Sequence, residues 1–119
     1  MEKIIFIIDD NDANLVMAGN ALEDEYRVLS MPSAQKMFSL LEKKTPDLIL
    51  LDIEMPDMTG LEAIEKLKEY PQLKNIPVIF LTGMHDETLI SEAKKTQAVD
   101  IVYKPIVAAA LKTCVKKYI

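Results

Sequence analysis

Five short runs of mainly apolar residues recur along the chain, at Ile4–Ile8, Arg27–Ser30, Leu48–Leu51, Val78–Leu81 and Val99–Tyr103. The first, third and fourth are nearly continuous in Ile, Leu, Val and Phe. That is the pattern of strands covered on both faces, as in a parallel sheet. Between the runs, apolar residues fall at helical spacing. Ala34, Met37, Phe38 and Leu41 share one stripe and Leu61, Ile64 and Leu67 another; Val107, Leu111, Cys114, Val115 and Tyr118 make a third. A weaker stripe predicts a fourth helix over Asp86 to Thr96. Ser33 and Thr59 stand where helix caps belong. Pro46 and Pro77 each precede a strand, and Pro71 lies where the third helix should stop. The pattern is β-α repeated five times, with no linker, repeat or low-complexity stretch. Right-handed crossovers then imply one α/β domain over residues 1–119, a three-layer sandwich with helices on both faces of the sheet.

Composition narrows the class without changing the picture. Of 119 residues, 50% are hydrophobic and 28% charged, a balance that fills a core and excludes disorder or a disulfide scaffold. Fourteen basic against nineteen acidic residues leave a formal charge of −5, and no window gathers Lys and Arg into a stripe for nucleic acid. The single cysteine, Cys114, forbids an internal disulfide and suits a reducing compartment. No apolar run approaches the ~20 residues of a membrane helix, and Ile4–Ile8 is too short for a signal-peptide core. The expectation is a cytoplasmic protein with no direct nucleic-acid contact and no membrane insertion.

In an open parallel sheet, ligands bind beyond the carboxyl ends of the strands. The residues there are Asp9-Asp10, Asp52, Thr82-Gly83 and Lys104-Pro105, while the second strand ends in Met31-Pro32 and offers nothing ionisable. The site predicted is three carboxylates, one ammonium and one hydroxyl. Three carboxylates held close repel unless a cation neutralises them, and an all-oxygen donor set favours Mg²⁺ over zinc. Lys104 and Thr82 suit a tetrahedral dianion beside that metal, with a carboxylate as phosphoryl acceptor. Each piece alone has an ordinary reading. Asp9-Asp10 could cap the first helix, Asp52 could be a turn residue before Pro56, Thr82-Gly83 an ordinary turn and Lys104 a solvated lysine. Their coincidence at matched strand ends favours chemistry.

These residues, with Asp52 in Leu50-Leu51-Asp52-Ile53-Glu54-Met55-Pro56 and Gly60 following, resemble the receiver domain of two-component response regulators, the CheY-like family. The resemblance covers essentially the whole chain, and it supplies the strand order, a flavodoxin-like 2-1-3-4-5 with five helices. It implies that Asp52 accepts a phosphoryl group from a histidine of a sensor histidine kinase or histidine phosphotransfer protein. It implies Mg²⁺ held directly by Asp10, Asp52 and the backbone carbonyl of Glu54, with Asp9 acting through water. Thr82 matches the hydroxyl that swings toward the phosphoryl group, Lys104 the ammonium that pairs with it, and the Lys104–Pro105 peptide is expected to be cis. A downstream target protein or output domain would read the switch, at the fourth helix, fifth strand and fifth helix.

One position departs from the family. Three residues before the lysine, where the family often carries a rotating aromatic ring, this chain has Ile101, with Tyr103 on the same strand face. The expected signal therefore runs through the Thr82 loop and the fourth helix, with a smaller change at the fifth strand. Glu54 and Met84, two residues beyond Asp52 and Thr82, should flank the path of hydrolytic water. Met55, Met58 and Met84 could form an exposed cluster for a partner helix. His85 reads as a loop residue, Cys114 as an inert core thiol, and the pairs Lys94-Lys95 and Lys116-Lys117 as solvated helix faces. The competing classes are a degenerate receiver acting as a phosphorylation-independent docking module, an Mg²⁺-dependent phosphatase with an aspartate nucleophile and Glu54 as its acid, and a flavin-binding relative.

Overall fold

The computed structural model describes residues 2–83 and 87–119. Strands β1 (Ile4–Ile8), β2 (Arg27–Met31), β3 (Leu48–Asp52), β4 (Val78–Thr82) and β5 (Asp100–Tyr103) alternate with helices α1 (Asp12–Leu22), α2 (Ala34–Leu41), α3 (Gly60–Lys68), α4 (Glu87–Lys94) and α5 (Ala108–Lys116). All strand pairs are parallel and the order is β2-β1-β3-β4-β5. Every residue of β3 and β4 is buried, as their unbroken apolar runs require, while the edge strands β2 and β5 each keep exposed positions.

Alternation along the strands builds two cores. Phe6, Ile8, Ile49 and Phe80 face α2, α3 and α4, whose Met37, Ile64 and Ala93 meet them; Ile5, Ile7, Leu50 and Ile79 face α1 and α5, whose Leu22 and Leu111 close the other layer. Phe6 and Phe80 are fully buried, each stabilising the fold by about 2–3 kcal/mol.

The helix starts follow local chemistry. Ser33 caps α2 by accepting from Lys36 N, and Thr59 opens α3 in a reciprocal capping box with Glu62. Asn11, not Asp9 or Asp10, caps α1, its side chain accepting from Ala13 N and Asn14 N. That removes the ordinary reading of the acid pair and leaves both carboxylates to the site.

Several boundaries differ from the sequence pattern. Asp52 and Thr82 are the last residues of their strands rather than the first beyond them. Helix α4 ends at Lys94 because the Thr96 hydroxyl donates to Ala93 O at 2.6 Å and accepts from Ala98 N at 3.2 Å, turning the chain toward β5. Strand β5 starts at Asp100, leaving Val99 exposed, and Val107 lies outside the apolar stripe as the exposed N-cap of α5. Met55 is buried and Met58 packs against the core, so these two do not form the exposed cluster expected of them. Met84, His85 and the expected helix start at Asp86 lie outside the described residues.

Candidate functional site

Parallel strands of matched length place their carboxyl ends along one edge, where four neighbouring strands contribute a polar group. Asp9 follows β1, Asp52 ends β3, Thr82 ends β4 and Lys104 follows β5. Backbone bonds fix the relative heights: Asp9 N donates to Met31 O at 3.2 Å, Ile53 N to Leu81 O at 3.1 Å, and Lys104 N to Thr82 O at 2.8 Å. The edge opens into a cleft of about 840 Å³ lined by Asp9, Asp10, Asp52, Glu54, Thr82 and Lys104. Asn11, Asn14, Met55, Pro56, Thr59 and Gly83 complete its wall. The three acids, Glu54, Thr82 and Lys104 expected of the site from the sequence are therefore brought together, while Met84 lies outside the described residues. The asparagines were not foreseen, although Asn11 before Asp12 is a helix-start signal that could have placed it there.

Asp9, Asp52 and Thr82 are buried polar residues of the structure, against an otherwise apolar interior. One carboxylate oxygen from each of Asp9, Asp10 and Asp52 lies within 4.8 Å of the others. Lys104 answers two of the three, its Nζ lying 2.8 Å from Asp9 Oδ2 and 3.2 Å from Asp52 Oδ1. Asp9 Oδ1 accepts from Asn11 N at 2.9 Å, and Asp52 Oδ1 also accepts from Glu54 N at 3.3 Å. Two donors converging on Oδ1 fix the orientation of the Asp52 carboxylate. Asp10 is exposed at the rim.

The electrostatics show a deficit of positive charge. Burial, and then the neighbouring Asp9, push the Asp52 carboxyl up from 3.8 to about 7, against the pull of Lys104 and the Glu54 amide. Burial opposes the charge on Lys104, yet its bonds to Asp9 and the fields of both carboxylates outweigh this and raise its pKa above the ordinary lysine value. Among the described residues, Lys104 thus pairs with two of the three acids and Asp10 has no ammonium beside it. A hard divalent cation fits an all-oxygen cluster of this spacing and charge, and the carboxylates of Asp9, Asp10 and Asp52 could hold it.

Gly60 is required by close approach. A Cβ there would lie 2.6 Å from Asp52 O and 2.9 Å from Ile53 Cα, both backbone atoms with no room to yield. Its amide donates to Ile53 O at 2.7 Å, so the start of α3 is seated directly on the end of the strand that carries Asp52. The Lys104–Pro105 peptide is cis, as expected. Ile101 is half-buried and packs against the core on the α2–α3–α4 face, while Tyr103 is exposed. Among the described residues, no helix is long and apolar enough to cross a membrane.

Comparison with known proteins agrees with this geometry. Residues 5–116 match the family described as response regulator receiver domain. The chain is 36% identical over 97% of its length to a probable cyclic di-GMP phosphodiesterase of Vibrio cholerae, of which it spans 26%. It is 34% identical over 70% of its length to the polar-differentiation response regulator DivK of Brucella ovis, covering 68% of that protein. Its structure is similar to the signal receiver domain of a signal transduction histidine kinase from Syntrophus aciditrophicus, with a TM-score of 0.90 at 29% identity over 98% of this chain and 89% of that one. A sheet of order 2-1-3-4-5 with an acid cluster, a threonine and a lysine at its carboxyl edge, together with a match over nearly the whole sequence, places the chain in the response regulator receiver domain family.

Proposed function

We propose that Asp52 is the phosphoryl acceptor of this receiver domain. It takes the group from a phosphohistidine of a sensor histidine kinase or histidine phosphotransfer protein in the cytoplasm, with Mg²⁺ as cofactor. The observation that carries this reading is the placement of the Asp52 carboxylate, fixed by Lys104 and the Glu54 amide, at the floor of an open acidic cleft.

In the transfer, the N–P bond of the donor breaks as an O–P bond to Asp52 forms, and the imidazole leaves with the electron pair. Asp10, Asp52 and the Glu54 carbonyl would hold Mg²⁺, which would supply charge neutralisation to the acid cluster and to the phosphoryl oxygens. Lys104 already bridges Asp9 and Asp52, so its ammonium lies beside the acceptor before any group arrives and needs little reorganisation. Thr82, buried at the end of β4, presents its hydroxyl as the further donor lining the cleft. Asp9 holds Lys104 in place and is itself oriented by Asn11 N. Glu54, exposed at the mouth, flanks the approach of hydrolytic water.

The consequence passes to a downstream target protein or output domain. Reorientation of Thr82 passes the change to α4 and β5. Ile101, already seated against the core, contributes a smaller displacement than a rotating aromatic ring would.

Intact-protein mass after incubation with acetyl phosphate or phosphoramidate tests the reading. A gain of one phosphoryl group that requires both Mg²⁺ and Asp52, and is lost in Asp52→Ala, is the expected result. A gain that persists in Asp52→Ala would move the acceptor elsewhere. No gain from either donor, with Mg²⁺ bound and no structural response to beryllofluoride, would leave a docking module in place of a switch.

A further inference from the structure

The loop joining β3 to α3, residues 53–59, forms one wall of the acidic cleft through Glu54, Met55, Pro56 and Thr59. Its ends are held by local bonds: Glu54 N to Asp52 Oδ1 at the start, and the Thr59–Glu62 capping box with Gly60 N to Ile53 O at the finish. Its middle is held from a distance. Asp57 Oδ2 accepts from Gln35 N at 3.0 Å, a bond between residues 22 apart in sequence.

The donor is an unusual one to find used this way. Gln35 lies in the first turn of α2, where backbone N–H groups lack helical partners. The cap residue Ser33 accepts from Lys36 N instead. The Asp57 carboxylate therefore satisfies an amide that α2 leaves open, at the positive end of the helix. The helix itself is a firm anchor, since Ala34 and Met37 are fully buried in the core. Asp57, by contrast, is exposed, so its position is set by this bond rather than by packing.

We infer that Asp57 is a positioning residue for the acceptor site. By tying the loop to α2, it holds the Glu54 backbone where its carbonyl can serve the cation beside Asp52. The inference rests on the reading of Asp52, Asp10 and Glu54 as the Mg²⁺ site. A second contact between the two helices, Lys66 Nζ at 4.7 Å from the centre of the Phe38 ring, joins α3 to α2 without involving the loop and serves as the control.

The test compares Asp57→Ala, Asp57→Asn and Lys66→Ala with the wild type. In metal-free protein, hydrogen exchange at the Gln35 amide should rise about tenfold in Asp57→Ala, because the amide loses its acceptor. Mg²⁺ affinity, read by titration, should weaken about tenfold, the lower end of what removal of an outer partner does to a metal site. Phosphoryl uptake should then be slow at limiting Mg²⁺ and return to the wild-type rate at saturating Mg²⁺. Asp57→Asn keeps an acceptor oxygen and should bind Mg²⁺ as the wild type does, as should Lys66→Ala. Unchanged Mg²⁺ affinity in Asp57→Ala overturns the inference, as does an equal loss in Lys66→Ala, which would assign the effect to helix docking in general. A deficit that persists at saturating Mg²⁺ overturns it too. If the wild type neither binds Mg²⁺ nor gains a phosphoryl group, the reading of the site itself falls first, and this one with it.

Discussion

Asp52 and Asp100 stand at opposite ends of the same parallel sheet, one finishing β3 and the other starting β5. Both are carboxylates at strand termini, yet their surroundings push them in opposite directions. Burial pulls the Asp100 carboxyl up, but the Ile101 amide at 2.8 Å, the Tyr118 hydroxyl at 2.9 Å, the Cys114 thiol at 3.4 Å and Lys117 together hold it below the ordinary carboxylate value. Asp52 has only Lys104 and one amide against burial and Asp9, and it rises to about 7. The Asp100 cluster is complete in itself: it fastens the end of α5 to the start of β5, with Tyr118 also donating to Val99 O at 3.0 Å. Its thiol, pushed up to about 11 by burial and by Asp100, is inert, as the stripe of the last helix suggested. Among the described residues, the Asp52 cluster holds more acid than Lys104 answers. The half-buried Asp100 is met by donors of its own chain, whereas the donors around Asp52 do not offset burial and Asp9.

The largest effect should come from removing Lys104, the cation that the described residues bring to the site. Lys104→Met leaves Asp9 fully buried with its partner gone, and the metal-free protein should lose about 3 kcal/mol in urea unfolding, much of it recovered by Mg²⁺. A loss below about 1 kcal/mol would show that the acids do not depend on Lys104. A smaller effect separates the two ends by pH. The folded pKa of Asp52 lies above its unfolded value of 3.8, so the folded state keeps a proton that the unfolded chain has released. Stability of the metal-free protein should therefore fall as pH rises from about 4 through about 7, and Asp52→Asn should remove that slope. A flat wild-type profile in the absence of Mg²⁺ would contradict the raised carboxyl. Asp100 has the opposite sign: its contribution is present above the ordinary carboxylate range and is lost as pH falls through its lowered folded value. Asp100→Asn should cost about 1 kcal/mol near neutral pH and nothing in strong acid, leaving phosphoryl uptake unchanged. Altered uptake in that variant would mean that the two ends are coupled along β5.

Most of the architecture was legible because it follows from periodicity. Unbroken apolar runs marked β3 and β4 as covered on both faces, and the caps Ser33 and Thr59 act as their residue types suggested. The misplacements fall where a turn, a helix start or a loop interrupts the periodic pattern. Thr96 turns α4 off early through its hydroxyl, Val107 is spent as an N-cap rather than in the stripe, and Met55 is drawn into the core by the loop that Gly60 seats. The site residues were legible in position, since strand ends can be counted, but not in role. Nothing in the sequence distinguishes Asp9, fully buried against Lys104, from Asp10, exposed at the rim.

The sequence by itself determined the β-α alternation, the sheet's buried strands and the polar residues delivered to one edge, because each depends on spacing along the chain. Only the tertiary structure decided the energetics of that edge. Whether an acid is neutralised or left wanting depends on which donors arrive from other elements. The bonds from Lys104 to Asp9 and Asp52, the backbone that excludes any Cβ at Gly60, and the reach of Asp57 to α2 all join residues far apart in sequence or folded back on one another.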